Sequence, residues 1–183
     1  MSLSNSARLE KMITEESRKF YFVAFRILGD QDMAMDAFQN SCVNALRSVD
    51  KFRGDSSLST WFYTILINSC RKQLSVWNRL GRIFSHTDLE QFSSSEEDDG
   101  EDAEKLKLVM DEVGRLSSRQ KEAMILRYSE GLSIRDISIV MGCSEGTVKS
   151  HINRGVTAVR TRLFPDSEES VDMAARACDA KLH

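Results

Sequence analysis

The sequence predicts an all-α fold in which two small helical domains are joined by a flexible acidic linker. The chain has one proline in 183 residues, where average usage of about 5% would give roughly nine. Apolar residues recur at steps of three and four, which is the spacing of an amphipathic helix and not the alternation of a strand. An acidic, serine-rich segment near the middle interrupts this pattern. Helices must therefore build a core on each side of it.

The first domain is predicted to begin with a helix over residues 16–28, which Gly29 can end in a left-handed conformation. Asp30 or Asp32 can cap a second helix. The apolar face of the first helix comprises Phe20, Val23, Ala24 and Ile27. That of the second comprises Met33, Ala37, Phe38, Cys42, Ala45, Leu46 and Val49.

Residues 50–57 break the helical pattern before a third helix. Gly54 permits a positive φ, and Ser56 or Ser57 can cap the helix that follows over about residues 58–79. Its later turns are basic. The predicted inward residues are Leu58, Trp61, Phe62, Ile65, Leu66 and Ser69.

Charge divides the chain more sharply than its net value of −3 suggests. Residues 16–82 hold ten bases and six acids, and residues 105–165 hold eleven bases and six acids. Residues 83–104 hold nine acids and no base. Such a segment repels itself and buries too little apolar surface to fold. We expect an extension at 1–15, domains at 16–82 and 105–165, a linker at 83–104 and a tail at 166–183, with a polyanion as partner of the basic blocks.

The second domain contains the pattern of a helix-turn-helix. Ser133 can cap a short helix with a stripe of Ile134, Ile137 and Met141, and Gly142 can end it. Ser144 can then cap a longer helix. The inward residues of that helix are Val148, Ile152, Val156, Val159 and Leu163. The helix leaves polar residues outward near its start, where a recognition helix meets base edges in the major groove.

Several functional classes find no support in the sequence. Cys42, Cys70, Cys143 and Cys178 are scattered, so neither a disulfide framework nor a zinc site is predicted. No catalytic constellation or phosphate loop is present, and we expect no enzyme activity and no cofactor. No apolar run is long enough to span a membrane, and the first eleven residues do not form a signal peptide. A cytoplasmic location is expected.

Three blocks together resemble the sigma-70 family of bacterial RNA polymerase sigma factors, in particular the compact extracytoplasmic-function (ECF) type. The first block is LGD at 28–30 with DAFQN at 36–40, and the second is FRGDSSLSTWFYTI at 52–65 with Asn68. The third is the helix-turn-helix with GTVKS at 146–150. The resemblance covers about residues 17–163. The helix-turn-helix alone occurs in many regulators, whereas the second block is more specific.

The resemblance implies a role for each domain. The first domain would be sigma region 2, which binds core RNA polymerase and opens the −10 element, and the second would be region 4, which reads the −35 element. Asp36 and Gln39 match the core polymerase motif. The positions implied for the −10 element are Asp50, Lys51, Phe52, Arg53, Asn68, Arg71 and Lys72. The other interpretation of Phe52 is that it packs into the core. Those implied for the −35 element are Lys149, Ser150, Asn153 and Arg154.

The expected partners are therefore core RNA polymerase, promoter DNA and an anti-sigma factor, with no insertion into a membrane. A different hypothesis is a stand-alone helix-turn-helix regulator whose N-terminal bundle senses a ligand or dimerises. Region 2 separates the two, because a sensor bundle has no reason to combine the motif at 36–40 with the block at 52–68.

Overall fold

The computed structural model describes residues 4–79 and 101–165, and every regular element in these two ranges is a helix. The predicted all-α fold is confirmed. Most of the predicted linker and the tail from residue 166 lie outside the described residues. The helices are α1 (Asn5–Leu28), α2 (Gln31–Ser48), α3 (Leu58–Arg79), α4 (Glu101–Gly114), α5 (Ser118–Met124), α6 (Ile134–Met141) and α7 (Glu145–Leu163).

The first helix is longer than its apolar pattern predicted. It begins at Asn5, eleven residues before the expected start, and the Ser4 hydroxyl caps it by accepting a hydrogen bond from the backbone N–H of Ala7. Leu9 is fully buried. Met12 and Ile13 also pack against the core, but they stand alone among the polar residues 10–19, so the sequence places the helix start too late.

Predicted caps and turns set the boundaries of the first bundle. Gly29 ends α1 with φ of 72°, and Asp30 accepts a hydrogen bond from the backbone N–H of Met33 at 2.8 Å to start α2. Ser57 does the same for α3, accepting from Thr60 at 2.9 Å. Helices α1, α2 and α3 pack against one another, so one apolar core holds the N-terminal bundle together.

The prediction that Leu46 lies in that core is wrong. Its side chain is 43% exposed, while Ala45 beside it is fully buried. The contacts of α1 and α3 cover only one side of α2, and Leu46 lies at the edge of the opposite side.

In the second domain, α5 continues into a π-helical turn at Ile125–Ser129, in which the backbone N–H of Glu130 reaches the carbonyl of Ile125 at 3.2 Å. The helix-turn-helix caps are as predicted. Ser133 accepts from the backbone N–H of Asp136 at 3.0 Å, and Gly142 ends α6 with φ of 65°. These caps fix where α7 begins relative to α6.

The third helix is buried on two sides. It packs against α1 and α2 on one side and against α6 of the second domain on another. Tyr63, Ile67 and Cys70, which fell outside the predicted inward face, are therefore fully buried. The two domains thus form one packed unit in the described structure.

Candidate nucleic-acid interface

The exposed face of α7 carries the residues predicted for the −35 element. Ser144 caps the helix by accepting a hydrogen bond from the backbone N–H of Thr147 at 3.2 Å. Lys149, Asn153 and Arg154 are exposed and Ser150 is half-buried, while the opposite face packs on α5 and α6. Two cations and an amide near the start of a recognition helix suit contact with base edges and phosphates.

A glycine lets this helix lie close to α5. An added Cβ on Gly155 would meet Met124 Cγ at 2.9 Å and Leu116 Cδ1 at 3.4 Å. Glycine has a low intrinsic helix propensity, so its place in the middle of α7 is explained by this close approach. Packing of this side of α7 on α5 leaves its polar face exposed.

The loop between α2 and α3 holds the predicted −10 residues. A 3₁₀ turn at Val49–Lys51 starts it, and Asp50, Lys51 and Arg53 are exposed. Phe52 is half-buried, with its ring centroid 5.5 Å from that of Trp61. The loop therefore places polar and charged groups beside an aromatic surface.

The predicted −10 residues on α3 differ in what they contact. Asn68 and Lys72 are exposed. Arg71 is instead held by the second domain: its Nε donates to Glu122 Oε1 at 2.9 Å and its Nη2 to Glu122 Oε2 at 2.7 Å. Sequence reasoning missed Glu122, since no local pattern marks a carboxylate as the partner of an arginine 51 positions away.

The outward face of α2 carries the predicted polymerase-binding pair. Asp36 and Gln39 are both exposed. Met35 precedes this pair on the helix and Val43 and Leu46 follow it, and their exposed fractions are 43%, 44% and 43%. These three apolar residues, which we call the α2 patch, give the helix a mixed polar and apolar surface suited to a protein partner. These residues recur at spacings of eight and three in the sequence, but the helical period places Leu46 on the core face.

Other kinds of site find no support in the described ranges. There, no group of three or more histidine, cysteine or acidic side chains is arranged to hold a metal ion. No helix among the described residues is both long and apolar enough to cross a membrane.

Fold and site together define a helical DNA-binding protein with a helix-turn-helix domain. Family models for sigma-70 region 2 and sigma-70 region 4 match residues 12–78 and 106–163. The chain therefore belongs to the sigma-70 family. Because region 2 is matched as well as region 4, the stand-alone regulator is the weaker hypothesis.

Relatives agree with this assignment over nearly the whole chain. The RNA polymerase sigma factor SigV of Bacillus subtilis is 32% identical over 164 residues, covering 87% of this chain and 93% of its own. The ECF RNA polymerase sigma factor EcfG of Rhodopseudomonas palustris is 29% identical over 173 residues, covering 92% and 91%. The chain is thus similar to sigma factors of the ECF type.

A solved structure supports the fold. The sigma factor RpoE in complex with the anti-sigma factor NepR from Bartonella quintana aligns with a TM-score of 0.72 at 24% identity. The alignment covers 86% of this chain and 98% of that one. At this identity the likeness concerns the fold alone.

Proposed function

We propose that this sigma factor binds core RNA polymerase through the outward face of α2 and directs initiation by recognising −35 and −10 elements. The observation that carries the proposal is that one chain presents two separate exposed polar surfaces that suit contact with DNA. These are the recognition face of α7 and the loop at residues 50–53. The chain catalyses no reaction in this proposal, because the polymerase supplies the chemistry.

At the −35 element, α7 would enter the major groove. Arg154 and Lys149 can bond guanine O6 and N7 or backbone phosphates, and Asn153 can bond adenine N6 and N7. Ser150 can serve either kind of contact. The capped start of α7 also directs backbone N–H groups and the positive end of its dipole towards phosphate.

At the −10 element, the loop would hold a base extruded from the duplex. An extruded base needs an aromatic or apolar wall and hydrogen bonds to its edge. Phe52, packed beside Trp61, can form the wall, while Asp50, Lys51 and Arg53 are exposed around it. Asn68, Arg71 and Lys72 on α3 would complete the site, with the two cations on phosphates.

Two protein partners follow. The α2 patch with Asp36 and Gln39 would bind core polymerase, since an exposed apolar helix surface flanked by polar groups favours a protein interface. An anti-sigma factor is the second partner, and the solved relative in complex with one supports it by analogy.

Transcription in vitro tests the proposal. Core polymerase would be given this protein and a pool of genomic fragments from its source, and the 5′ ends of the RNA would be mapped. We expect a small set of discrete starts that core polymerase alone does not use. Arg154→Ala should reduce transcription from those starts, while Thr161→Ala, at an exposed position near the C-terminal end of the same helix, serves as control. Absence of any new start would contradict the proposal.

A further inference from the structure

We propose that Glu122 competes with promoter phosphate for Arg71, so that packing of the two domains and binding of Arg71 to the −10 strand exclude each other. The inference rests on the proposed function for the role of Arg71 in DNA binding. It adds an internal ligand for that residue, supplied by α5 of the second domain.

The geometry of the pair is that of arginine with an oxyanion. Two guanidinium nitrogens of Arg71 donate to the two carboxylate oxygens of Glu122, at 2.9 and 2.7 Å. Carboxylate and phosphate both present paired oxygens that match the guanidinium fork. Glu122 therefore occupies the donors that a phosphate would need.

The carboxylate is buried, whereas the arginine keeps some access to solvent. The Glu122 side chain is 1% exposed and the Arg71 side chain 25% exposed. Arg119 Nη1 lies 3.6 Å from the same carboxylate and helps to balance its charge. Salt screens a buried pair much less than an exposed one, so added salt alone should not separate the domains.

The pair also holds a second −10 residue. Arg71 Nη1 donates to the Asn68 side-chain oxygen at 3.2 Å. While Glu122 holds Arg71, the Asn68 side-chain oxygen therefore accepts a hydrogen bond from the same guanidinium.

Other contacts across this interface repeat the arrangement of first-domain donors and second-domain acids. Tyr63 Oη donates to Glu130 Oε2 at 2.5 Å, and Lys19 Nζ lies 3.6 Å from the same oxygen. Thr60 Oγ1 donates to Asp136 Oδ1 at 3.2 Å. The basic second domain thus turns three of the six acids of residues 105–165 towards the first domain. Acids elsewhere on that domain would not compete with DNA for these donors.

The competition should affect one promoter element and not the other. The recognition face of α7 is exposed in the closed arrangement, so −35 binding does not require opening. At the −10 site, the apparent association constant is the intrinsic constant multiplied by the fraction of molecules in which the two domains are separated. By thermodynamic linkage, binding of the −10 DNA strand must favour separation of the two domains by the same factor.

The test uses the full chain and two DNA probes. A fluorescent twelve-nucleotide oligo-dT reports phosphate contacts of the −10 site, because these are independent of sequence. A hairpin duplex of mixed sequence reports the α7 face. Glu122→Gln keeps the size of the side chain and removes its charge. Glu112→Gln is the matched control, since Glu112 is also a largely buried acid whose partners, Arg115 and Arg162, belong to its own domain.

We expect Glu122→Gln to bind oligo-dT about tenfold more tightly than the wild type, as loss of a charge-assisted hydrogen-bonded pair would allow. The control should change within twofold. Duplex binding should stay within twofold for both variants, which also shows that the second domain is folded. Glu122→Asp, which keeps the charge but shortens the side chain, should act in the same direction if Glu122→Gln does not fold.

Equal oligo-dT affinity of Glu122→Gln and Glu112→Gln would overturn the inference. So would an equal gain for the duplex, since the effect would then be one of net charge. The proposed function is judged separately, by transcription with the wild-type protein. If the wild type supports discrete transcription starts, the proposed function stands whichever of these binding results is found. Failure of the wild type to support initiation would instead count against the proposed function.

Discussion

The thiol of Cys70 reports on the packed interface, because it lies on α3 next to Arg71 and is fully buried. Burial first, and the Glu122 carboxylate second, raise its pKa from 9.0 to about 12. Thiolate is the reactive form. A pKa that is three units higher gives about a thousandfold smaller thiolate fraction at pH 8. A reagent also reaches a buried thiol only when the structure opens locally.

The assay is reaction with a disulfide reagent at pH 8 in variants that keep one cysteine each. The variant that keeps Cys70 should react much more slowly than the one that keeps Cys143, which is half-exposed at the helix-turn-helix. Adding Glu122→Gln should speed the reaction of Cys70 and leave that of Cys143 unchanged. Rates for the two cysteines within tenfold of each other in the folded protein would refute the packed interface.

The same shift has a consequence for stability. The pKa of Cys70 is higher in the folded chain than in the unfolded one, so its contribution is fully present below pH 9. Between pH 9 and 12 the unfolded chain ionises first, and the free energy of unfolding should fall as pH rises. Cys70→Ser should show a smaller fall across this range in urea titrations.

Four further substitutions test the surfaces and caps. Arg154→Ala should cost about 1–3 kcal/mol in binding of a −35 duplex if Arg154 reads a base. Lys149→Ala should reduce the slope of log K against log salt by about 0.9 if Lys149 contacts one phosphate. Fluorescence anisotropy at several salt concentrations measures both effects, and unchanged affinity in both variants would exclude α7 as the docking face. Asp36→Ala should weaken binding to core polymerase in a pull-down without changing the circular dichroism spectrum; normal core binding with lost DNA opening would contradict its assignment. Gly142→Ala should lower the free energy of unfolding by about 1–2 kcal/mol, because an L side chain is strained at φ of 65°. A urea unfolding curve that matches the wild type would contradict this and show that the turn relaxes.

Caps and turns were predictable because they depend on neighbours in sequence. Ser133, Gly142 and Ser144 each act through a backbone group within a few residues. Their chemistry therefore appears in the sequence as a short motif. The beginning and end of α6 and the beginning of α7 followed from these motifs.

Burial that depends on the other domain was not predictable in the same way. A helical period shows that one face is apolar, but it does not show what covers the remaining faces. Tyr63 and Cys70 are buried on a helix enclosed from two sides, and Leu46 is exposed although it is apolar. Both errors come from reading each helix as though a single neighbour packed against it.

The candidate site was predictable as a set of residues but not as an arrangement. The family resemblance indicated Arg71 and Asn68, yet the partner of Arg71 lies in the second domain. Long-range ion pairs leave no spacing signal, since either partner alone looks like a solvated charge. The interdomain pair is therefore visible only in the folded structure.

The most direct test of the central claim is permanganate footprinting of core polymerase with this protein on a promoter found by mapping RNA 5′ ends. Permanganate oxidises unpaired thymine, so it detects opening of the −10 element, and DNase protection on the same fragment detects −35 binding. We expect both signals with the wild type, and loss of −35 protection with Arg154→Ala at the same start. If thymines of the −10 element still reacted with permanganate when both the −35 contact and the loop at residues 50–53 had been removed by substitution, the central claim would be contradicted.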